Sequence, residues 1–384
     1  MKSNSRLMFS CVLLLAKPGV GLADDAADGR RAHQAVVALR DEVFNHCHIK
    51  LDVTIQADLN GAVQGRTTGK YVFARSGESF FADIDVTETA TPEGGRPARP
   101  IRINQQHFMS AGRRYIDLTY DPKPGGATVH SVGIDPRNTY DDSLNTLTAY
   151  VGLRKILAEF GPTGKSIVEL SSGPPNNVRR TPAGEVVCSF PTEYGPFEVG
   201  YRPIEKRDVV TLLRMAQGPT DVYTHQSKGR RVADIRSSVI GETPGGLTSS
   251  LTSVVFSPPG DKPLSGMTIE EQLRAQGQVW RCVWTLRVAE YKSGLTVDQV
   301  DGLHLPIPDG TRALSIDPAY KSLVLAYRGG EVVRAVDGAP LDQVVAELGF
   351  RRRLINALWV VAAIGVVLIG VFVVRRRVRR RATA

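Results

Sequence analysis

The run His46-Cys47-His48 contains the residue types that bind transition metals in proteins. In an extended segment its two imidazoles project from one side of the chain, as two ligands of a zinc site would. A complete site needs further ligands, and the other five histidines of the sequence are scattered. The pattern therefore favours ordinary surface or boundary histidines, and we assign no metal ligand.

Two patterns associated with phosphate binding and nucleophilic catalysis are incomplete. Gly164-Lys165-Ser166 resembles the end of a phosphate-binding loop, but Glu159 stands where that loop needs a glycine, and a predicted helix precedes it where a strand should. No Gly-x-Ser-x-Gly elbow is present, which excludes that type of serine hydrolase. We therefore assign no nucleophile and no cofactor-binding residue.

Acidic side chains on predicted strands are the remaining candidates for acid–base chemistry. Glycoside hydrolysis needs two carboxylates at a defined separation, and nothing in the spacing indicates such a pair. Alternation of acidic and apolar residues is also typical of a solvated sheet face. We assign no catalytic residue and predict that the chain is not an enzyme; an exported hydrolase with an unrecognised site is the alternative. The candidate carboxylates are Asp83, Asp85, Asp117, Glu193 and Glu198.

Two tryptophans and a cysteine share one face of a predicted strand at 278–291. Trp280, Cys282 and Trp284 alternate with other residues, which favours core packing over ligand stacking. Together with Cys47 and Cys188, Cys282 leaves an odd number of cysteines beyond the first 23 residues. One disulfide with a spare thiol, or three buried thiols, are both open; we favour the thiols.

Periodicity predicts a helix followed by many strands. Apolar residues at helical spacing predict a helix over 29–46, and further helices are expected at 141–161, 268–276 and 340–349. Alternating residues and glycine turns predict an antiparallel meander. We expect an α+β fold in which a large, curved, half-barrel-like antiparallel sheet packs on a few helices. The predicted strands include 68–75, 78–88, 101–109, 113–120, 185–190, 196–202, 208–216, 221–226, 230–240, 248–257, 278–291 and a hairpin over 322–337.

The C-terminal region has the composition of a membrane anchor. Residues 354–374 contain no charge and only one strongly polar side chain, Asn356. Twenty-one residues at about 1.5 Å rise each span a hydrocarbon core of roughly 30 Å. Three arginines precede this stretch and six follow it, which predicts a cytoplasmic C-terminus. We expect one transmembrane helix at 354–374 and an arginine-rich cytoplasmic tail at 375–384.

The N-terminus has the proportions of a secretory signal peptide. Lys2 and Arg6 precede an apolar run at 7–16, and small residues before Asp24 offer a cleavage site after Ala23. A lipoprotein signal acylated at Cys11 is disfavoured because Cys11 lies inside the apolar run. We therefore predict a signal peptide at 1–23 and an extracytoplasmic domain at 24–350. This domain has one lobe, or two with a break near 161–185.

The basic charge of the chain belongs to these two end segments. The chain has a net charge of +9, but residues 24–350 hold 36 basic and 39 acidic residues. The exported portion therefore has no cationic excess that would neutralise a phosphate backbone, and no nucleic-acid partner is expected. The expected partners are membrane lipid, through the anchor and an apolar cavity, and an envelope protein.

The first strands also show a family resemblance. Gly69-Lys-Tyr-Val-Phe-Ala-Arg75, Ser79-Phe-Phe-Ala-Asp-Ile-Asp85 and the hairpin from Met109 to Pro122 follow a helix-to-strand crossover. Over residues 30–122 this order resembles the lipoprotein-carrier half-barrels of the LolA/LolB-like family. The resemblance implies a curved antiparallel sheet wrapped around helices, with an apolar cavity for lipid chains. Unlike a free carrier, this chain is longer and has a predicted anchor.

These observations predict a single-pass membrane protein with its N-terminal domain in the periplasm or outside the cell. We expect that domain to bind or sense a lipid, an acyl chain or a partner peptide in an apolar half-barrel cavity. The alternative is a membrane-tethered exported hydrolase, which would need a polar cleft with converging carboxylates or a Ser/His pair within hydrogen-bond reach.

Overall fold

The structure, a computed structural model, describes residues 20–90, 100–109, 115–124, 126–134, 153–157, 160, 165–193, 195–205, 207–217, 249–257, 262–275, 277–315, 320 and 322–382. Most of the predicted signal peptide at 1–23 lies outside these residues. So do the predicted strands at 221–226 and 230–240 and most of the predicted helix at 141–161.

Strands dominate the described residues, and sixteen of them form one curved, unclosed sheet. In chain order the strands are β1 (Cys47–Leu59), β2 (Ala62–Ser76), β3 (Ser79–Ala90), β4 (Ile101–Met109), β5 (Ile116–Asp121), β6 (Thr128–Ile134), β7 (Asn177–Arg180), β8 (Val186–Phe190), β9 (Phe197–Ile204), β10 (Arg207–Gln217), β11 (Ser249–Phe256), β12 (Gly266–Ala275), β13 (Gln278–Ser293), β14 (Arg312–Ser315), β15 (Leu325–Arg328) and β16 (Glu331–Arg334).

The sheet is built from two antiparallel series. Strands β1 to β6 lie side by side in chain order, and so do β7 to β13. The two series meet where β1 pairs with β13 and Cys47 lies opposite Ser293. Strand β14 extends the β6 edge in parallel, and the hairpin β15–β16 follows it. The predicted large, curved sheet and its closing hairpin are confirmed, and the sheet is mostly antiparallel. The predicted α+β class is corrected to a mostly β architecture with few helices.

Few helices accompany the sheet in the described ranges. They are α1 (Val20–Ala38), which continues into a π-helical turn (Leu39–Val43), α2 (Arg154–Leu157), α3 (Ile167–Leu170), α4 (Val297–Asp301) and α5 (Leu341–Ala382). Helix α1 confirms the predicted N-terminal helix, and α5 begins one residue after the start of the predicted helix at 340–349.

Residues 354–374, predicted to cross the membrane, lie within α5. Over the residues that the structure describes, no helix was found to be both long enough and apolar enough to cross a membrane.

The helix predicted at 268–276 is wrong, because residues 268–275 belong to strand β12. Met267, Ile269, Glu271 and Leu273 are buried on one face, which is the two-residue period of a strand. Hydrogen bonding to β11 on one side and β13 on the other satisfies the backbone. The capping pattern at Thr268 misled the prediction, since Glu271 at an inward position interrupts the apolar alternation.

The two faces of the sheet carry separate apolar clusters. The first cluster includes Phe80, Ile84 and α1 residues such as Val36, so it fills the face that α1 covers. The second includes Phe81 and lies on the opposite face, because successive strand residues point in opposite directions. Helix α4 and the start of α5 cover that second face through Val300 and Leu341, which are buried.

A charged network holds α1 to the sheet. The Arg31 guanidinium donates two hydrogen bonds to the Asp208 carboxylate, at 2.9 and 2.7 Å. It also lies 5.3 Å from the centre of the Tyr201 ring. Buried Asp28 accepts a hydrogen bond from the Tyr201 hydroxyl at 2.9 Å and forms an ion pair with Arg180. Each charged group of the network has a partner in these contacts. The role of the network is therefore structural: it attaches α1 to the sheet.

Candidate functional site

The structure does not bring the candidate carboxylates together as a catalytic pair. Asp83 and Asp117 occupy opposite faces of the sheet, since Asp83 pairs in register with Gln106 and Asp117 with His107. Asp85 forms a two-point ion pair with Arg102, with both N–O distances at 3.1 Å. The other two candidates lie far along the sheet: Glu193 in the turn between β8 and β9, and Glu198 on β9.

Asp83 belongs to a hydrogen-bonded chain that fastens the C-terminal segment to the sheet. Its carboxylate accepts a hydrogen bond from the Tyr120 hydroxyl at 2.7 Å. Burial raises the pKa of Asp83, and hydrogen bonds from Tyr120 and Gln106 limit that rise. Gln106 in turn accepts a hydrogen bond from the backbone of Leu305 at 2.8 Å. Every acceptor in this chain has a protein partner, so Asp83 has a positioning role.

Two Ser/His pairs lie within hydrogen-bond reach. His33 Nδ1 is 3.0 Å from Ser171 Oγ, and His46 Nδ1 is 2.9 Å from Ser76 Oγ. Both hydroxyls are 2.9 Å from a backbone carbonyl that can accept their proton, that of Ile167 in the first pair and of Leu295 in the second.

A hydroxyl has one proton, so donation to a carbonyl leaves it an acceptor towards the histidine. The histidine then donates to the serine and cannot take its proton, which is the reverse of a nucleophilic pair. Ser171 and Ser76 are also only 1% and 2% exposed. Both pairs are therefore structural contacts, and neither has the geometry of a hydrolase site.

The other sequence candidates also have structural surroundings. Cys47 donates a weak hydrogen bond from Sγ to the Phe44 carbonyl at 3.3 Å, and no group of three metal-binding side chains occurs in the described ranges. Ser166 caps α3 in a capping box with Glu169, which explains the Lys165-Ser166 sequence without a phosphate.

The predictions that the tryptophans pack in the core and that the cysteines are buried are confirmed. Trp280, Cys282 and Trp284 lie in the first apolar cluster. Cys47, Cys188 and Cys282 are all buried. Burial raises the pKa of the Cys47 thiol to about 12, so this residue behaves as a small apolar group.

The strongest candidate site is a polar group on strands β4 and β5, which we name the His107 cluster. It consists of Gln105, His107, Tyr115 and Asp117. The hairpin register places His107 opposite Asp117, and Gln105 lies two residues from His107 on the same face. That face also carries Phe80 and Ala82 of β3, which belong to the first apolar cluster. The cluster is thus a polar patch within an apolar surface.

Distances within the His107 cluster define a short hydrogen-bonded core. His107 Nδ1 lies 2.6 Å from Tyr115 Oη and 3.6 Å from Asp117 Oδ1. The imidazole and phenol rings are nearly parallel, with an interplanar angle of 19°. The His107 side chain is 3% exposed, whereas the Asp117 side chain is 31% exposed.

Burial controls the protonation of both ionisable groups. It lowers the pKa of His107 to about 4 and raises the pKa of Asp117 to about 6. At neutral pH the imidazole is therefore uncharged and the carboxylate is charged. The 3.6 Å contact between them is consequently a contact between a charge and a neutral ring, without an ion pair.

Three polar atoms of the cluster have no hydrogen-bond partner within the part of the chain that the structure describes. They are His107 Nε2, Asp117 Oδ1 and Gln105 Oε1. Unpaired buried polar atoms are costly, and their concentration on one face makes the His107 cluster the candidate site. The cluster can offer several hydrogen-bond acceptors and one negative charge.

Asp117 is a candidate from the sequence, whereas Gln105, His107 and Tyr115 were not predicted as site residues. A signal was present in the predicted hairpin: His107 and Asp117 lie at equal distances on either side of Gly112. A hairpin that turns near Gly112 brings such residues face to face. The spacing of histidines along the sequence gives no such signal, because the partner of His107 is the residue across the turn.

Comparison with known proteins assigns no family. No family model matches the chain, and no curated protein matches it. Among solved structures, a porin-like protein from Bacteroides uniformis ATCC 8492 is similar, at 6% sequence identity and a TM-score of 0.16. The match covers 65% of this chain and 100% of that one. A likeness this weak carries no argument about fold or function, and the LolA/LolB-like resemblance finds no support in these comparisons.

Proposed function

We propose that this chain is a single-pass membrane protein whose sheet domain lies outside the cytoplasm and binds or senses a lipid, an acyl chain or a partner peptide. The binding region is the α1-covered, apolar face of the curved sheet, which we propose forms a half-barrel cavity of the LolA/LolB-like kind. The observation that carries the proposal is the change of character along α5, from a buried start to an exposed apolar continuation.

The start of α5 is attached to the sheet domain. Leu341 and Val344 are 3% and 0% exposed. Arg334 on β16 forms an ion pair with Glu347 at 2.9 Å and a second with Asp337 at 2.6 Å. The contact with Glu347 joins the helix to the edge of the sheet, so any surface that α5 enters will lie close to that edge.

Beyond this attachment α5 exposes large apolar side chains. Leu354, Leu358 and Trp359 are 51%, 60% and 71% exposed. Their succession on one helix makes a contiguous apolar surface, which soluble proteins rarely leave in water. A bilayer would cover it, and the uncharged sequence at 354–374 between arginine groups supports that covering.

The hydrolase alternative has no specific observation in its favour. Both Ser/His pairs have a backbone carbonyl in place to accept the hydroxyl proton, and the candidate carboxylates are separated or engaged elsewhere. A binding role needs only a shaped apolar face with a few polar groups, which the first apolar cluster and the His107 cluster supply.

Topology is the first test of the proposal. The full chain would carry a C-terminal tag, and intact spheroplasts would be treated with a protease. We expect the sheet domain to be degraded while a short tagged fragment, containing 354–384, stays protected. Release of the whole chain by alkaline carbonate, or digestion of the tag in intact spheroplasts, would show that the anchor or its orientation is wrong.

Binding is the second test. Native mass spectrometry of the full chain, released from detergent micelles, should show a co-purifying lipid or acyl chain as a discrete added mass. A matched measurement after extensive exchange into a synthetic detergent should remove that mass. A ligand-free spectrum under gentle release would contradict the cavity and leave a membrane-anchored protein without a bound lipid.

A further inference from the structure

The His107 cluster offers hydrogen-bond acceptors in excess of the donors around it. In the tautomer with its proton on Nδ1, His107 donates to Tyr115 Oη at 2.6 Å and leaves Nε2 as an acceptor. Asp117 Oδ1 and Gln105 Oε1 are acceptors in any case. All three atoms are buried and unpartnered in the described residues.

The charge of the cluster is also uncompensated in the described part of the chain. The Asp117 carboxylate has only the neutral His107 ring within ion-pair distance there. Partial burial makes the charged carboxylate costly, and a positively charged partner would offset that cost. The complementary group therefore carries a positive charge and several N–H donors.

The surroundings specify what the charged group is attached to. On the same face lie Phe80 and Met109 of the first apolar cluster, and the Phe80 ring centre is 6.4 Å from that of Tyr115. A polar group at the cluster would have buried apolar side chains directly beside it, such as Phe80, which is 1% exposed. The ligand is consequently an amphiphile, with an apolar body and a cationic end.

We propose that the His107 cluster binds the primary ammonium group of an amphiphile. Its three N–H donors match the three acceptors, Asp117 Oδ1, Gln105 Oε1 and His107 Nε2, and its charge compensates Asp117. The apolar chain lies along the face that carries Phe80. This inference rests on the proposed binding function and names the head-group chemistry that the function would recognise.

Other ligand chemistries fit these residues less well. A phosphate or carboxylate would meet the negative charge of Asp117 and three acceptors. A quaternary ammonium has the charge but no N–H donor. A metal ion would have one carboxylate and one imidazole, and the described residues hold no group of three metal-binding side chains.

The test compares three soluble probes of equal chain length: hexylammonium, hexyltrimethylammonium and hexanol. Each would be titrated by calorimetry into the full chain in phosphatidylcholine nanodiscs, which contain no primary amine, with empty nanodiscs as the blank. The variants are Asp117→Asn and Gln105→Leu, and the control is Asp85→Asn, because Asp85 lies on the opposite face. Circular dichroism would verify the fold of each variant.

We expect hexylammonium to bind at least about tenfold more tightly than either other probe, since charge-assisted hydrogen bonds account for that difference. Asp117→Asn should weaken it by at least about tenfold, Gln105→Leu by less, and Asp85→Asn by under about twofold. Equal binding of hexanol and hexylammonium, unaffected by Asp117→Asn, would overturn the ammonium site while leaving the binding function intact. Failure of all three probes would also overturn it, and lipid in the native mass spectrum would then decide separately whether the binding function survives.

Discussion

Replacing Asp117 by asparagine should raise stability at pH 7 and make the protein more sensitive to acid. The folded pKa of Asp117, about 6, lies above the ordinary value of 3.8. A tenfold change in proton affinity corresponds to about 1.4 kcal/mol, so the charged carboxylate costs the fold at most about 3 kcal/mol at pH 7. Solvent screening reduces this figure, because 31% of the side chain is exposed. The asparagine variant does not carry this cost.

His107 changes the stability of the fold in the same pH range, with the opposite dependence on pH. Its folded pKa of about 4 lies below the ordinary value of 6.5, so the unfolded chain takes up the proton first as the pH falls. Its contribution to stability is complete above pH 6.5 and decreases by about 3 kcal/mol as the pH falls through 4. Asp117 has a raised pKa, so its contribution is complete below pH 3.8 and is lost as the pH rises through 6. In the parent protein the two contributions oppose each other.

The assay is denaturant unfolding of the full chain in a non-ionic detergent, followed by tryptophan fluorescence at pH 7, 6, 5 and 4. The quantity compared is the difference in the free energy of unfolding between variant and parent at each pH. The contributions of the other titrating groups cancel in this difference. Asp117→Asn should be more stable than the parent at pH 7 and should lose that advantage by pH 4. His107→Gln should show the reverse trend, gaining on the parent as the pH falls. Differences that do not change with pH in either variant would refute the assigned burial of these two groups.

Three further predictions concern the fold. Gly69→Ala should destabilise the protein by about 2 kcal/mol, because the added methyl group would meet the β3 backbone, 2.6 Å from the Val86 Cα; Gly65→Ala on the same strand, with only a 3.6 Å contact, should cost much less in thermal unfolding. Asp28→Asn should cost about 2 to 3 kcal/mol because it leaves charged partners unmatched, whereas the same change at exposed Asp52 should be nearly silent in chemical denaturation. Cys47 should resist alkylation at pH 8 in the folded protein and react after denaturation, as peptide mass spectrometry would detect; labelling of the native chain would contradict its burial.

Much of the sheet could be predicted from local sequence because its strands alternate cleanly. Ile49, Leu51 and Val53 on β1 are buried and alternate with polar residues, and glycine turns separate the neighbouring strands. The prediction for β12 was wrong because a buried glutamate lies at an inward position, where the local pattern expects an apolar residue. Hydrogen bonding from strands on both sides outweighed the helix-capping preference at that point.

The pairing of distant strands could not be read from the sequence. Nothing near Cys47 specifies Ser293 as its neighbour, since side-chain alternation fixes which face is buried but not which strand lies alongside. The His107 cluster was only partly visible for a similar reason. Its parts are ordinary polar residues until the register of β4 and β5 places them together, and burial then gives His107 and Asp117 their altered pKa values.

The pairing of β1 with β13 has a consequence for the order of folding. Strands β1 to β6 can pair as soon as they are synthesised, but the other edge of β1 must wait for β13, most of the chain later. Until then one edge of the first series is open, and its residues are apolar on one side. Contacts between residues so distant in sequence form slowly, and an unpaired edge can associate with other chains in the meantime. Folding of this protein should therefore be slow, and association with other chains should compete with it until β13 covers the β1 edge.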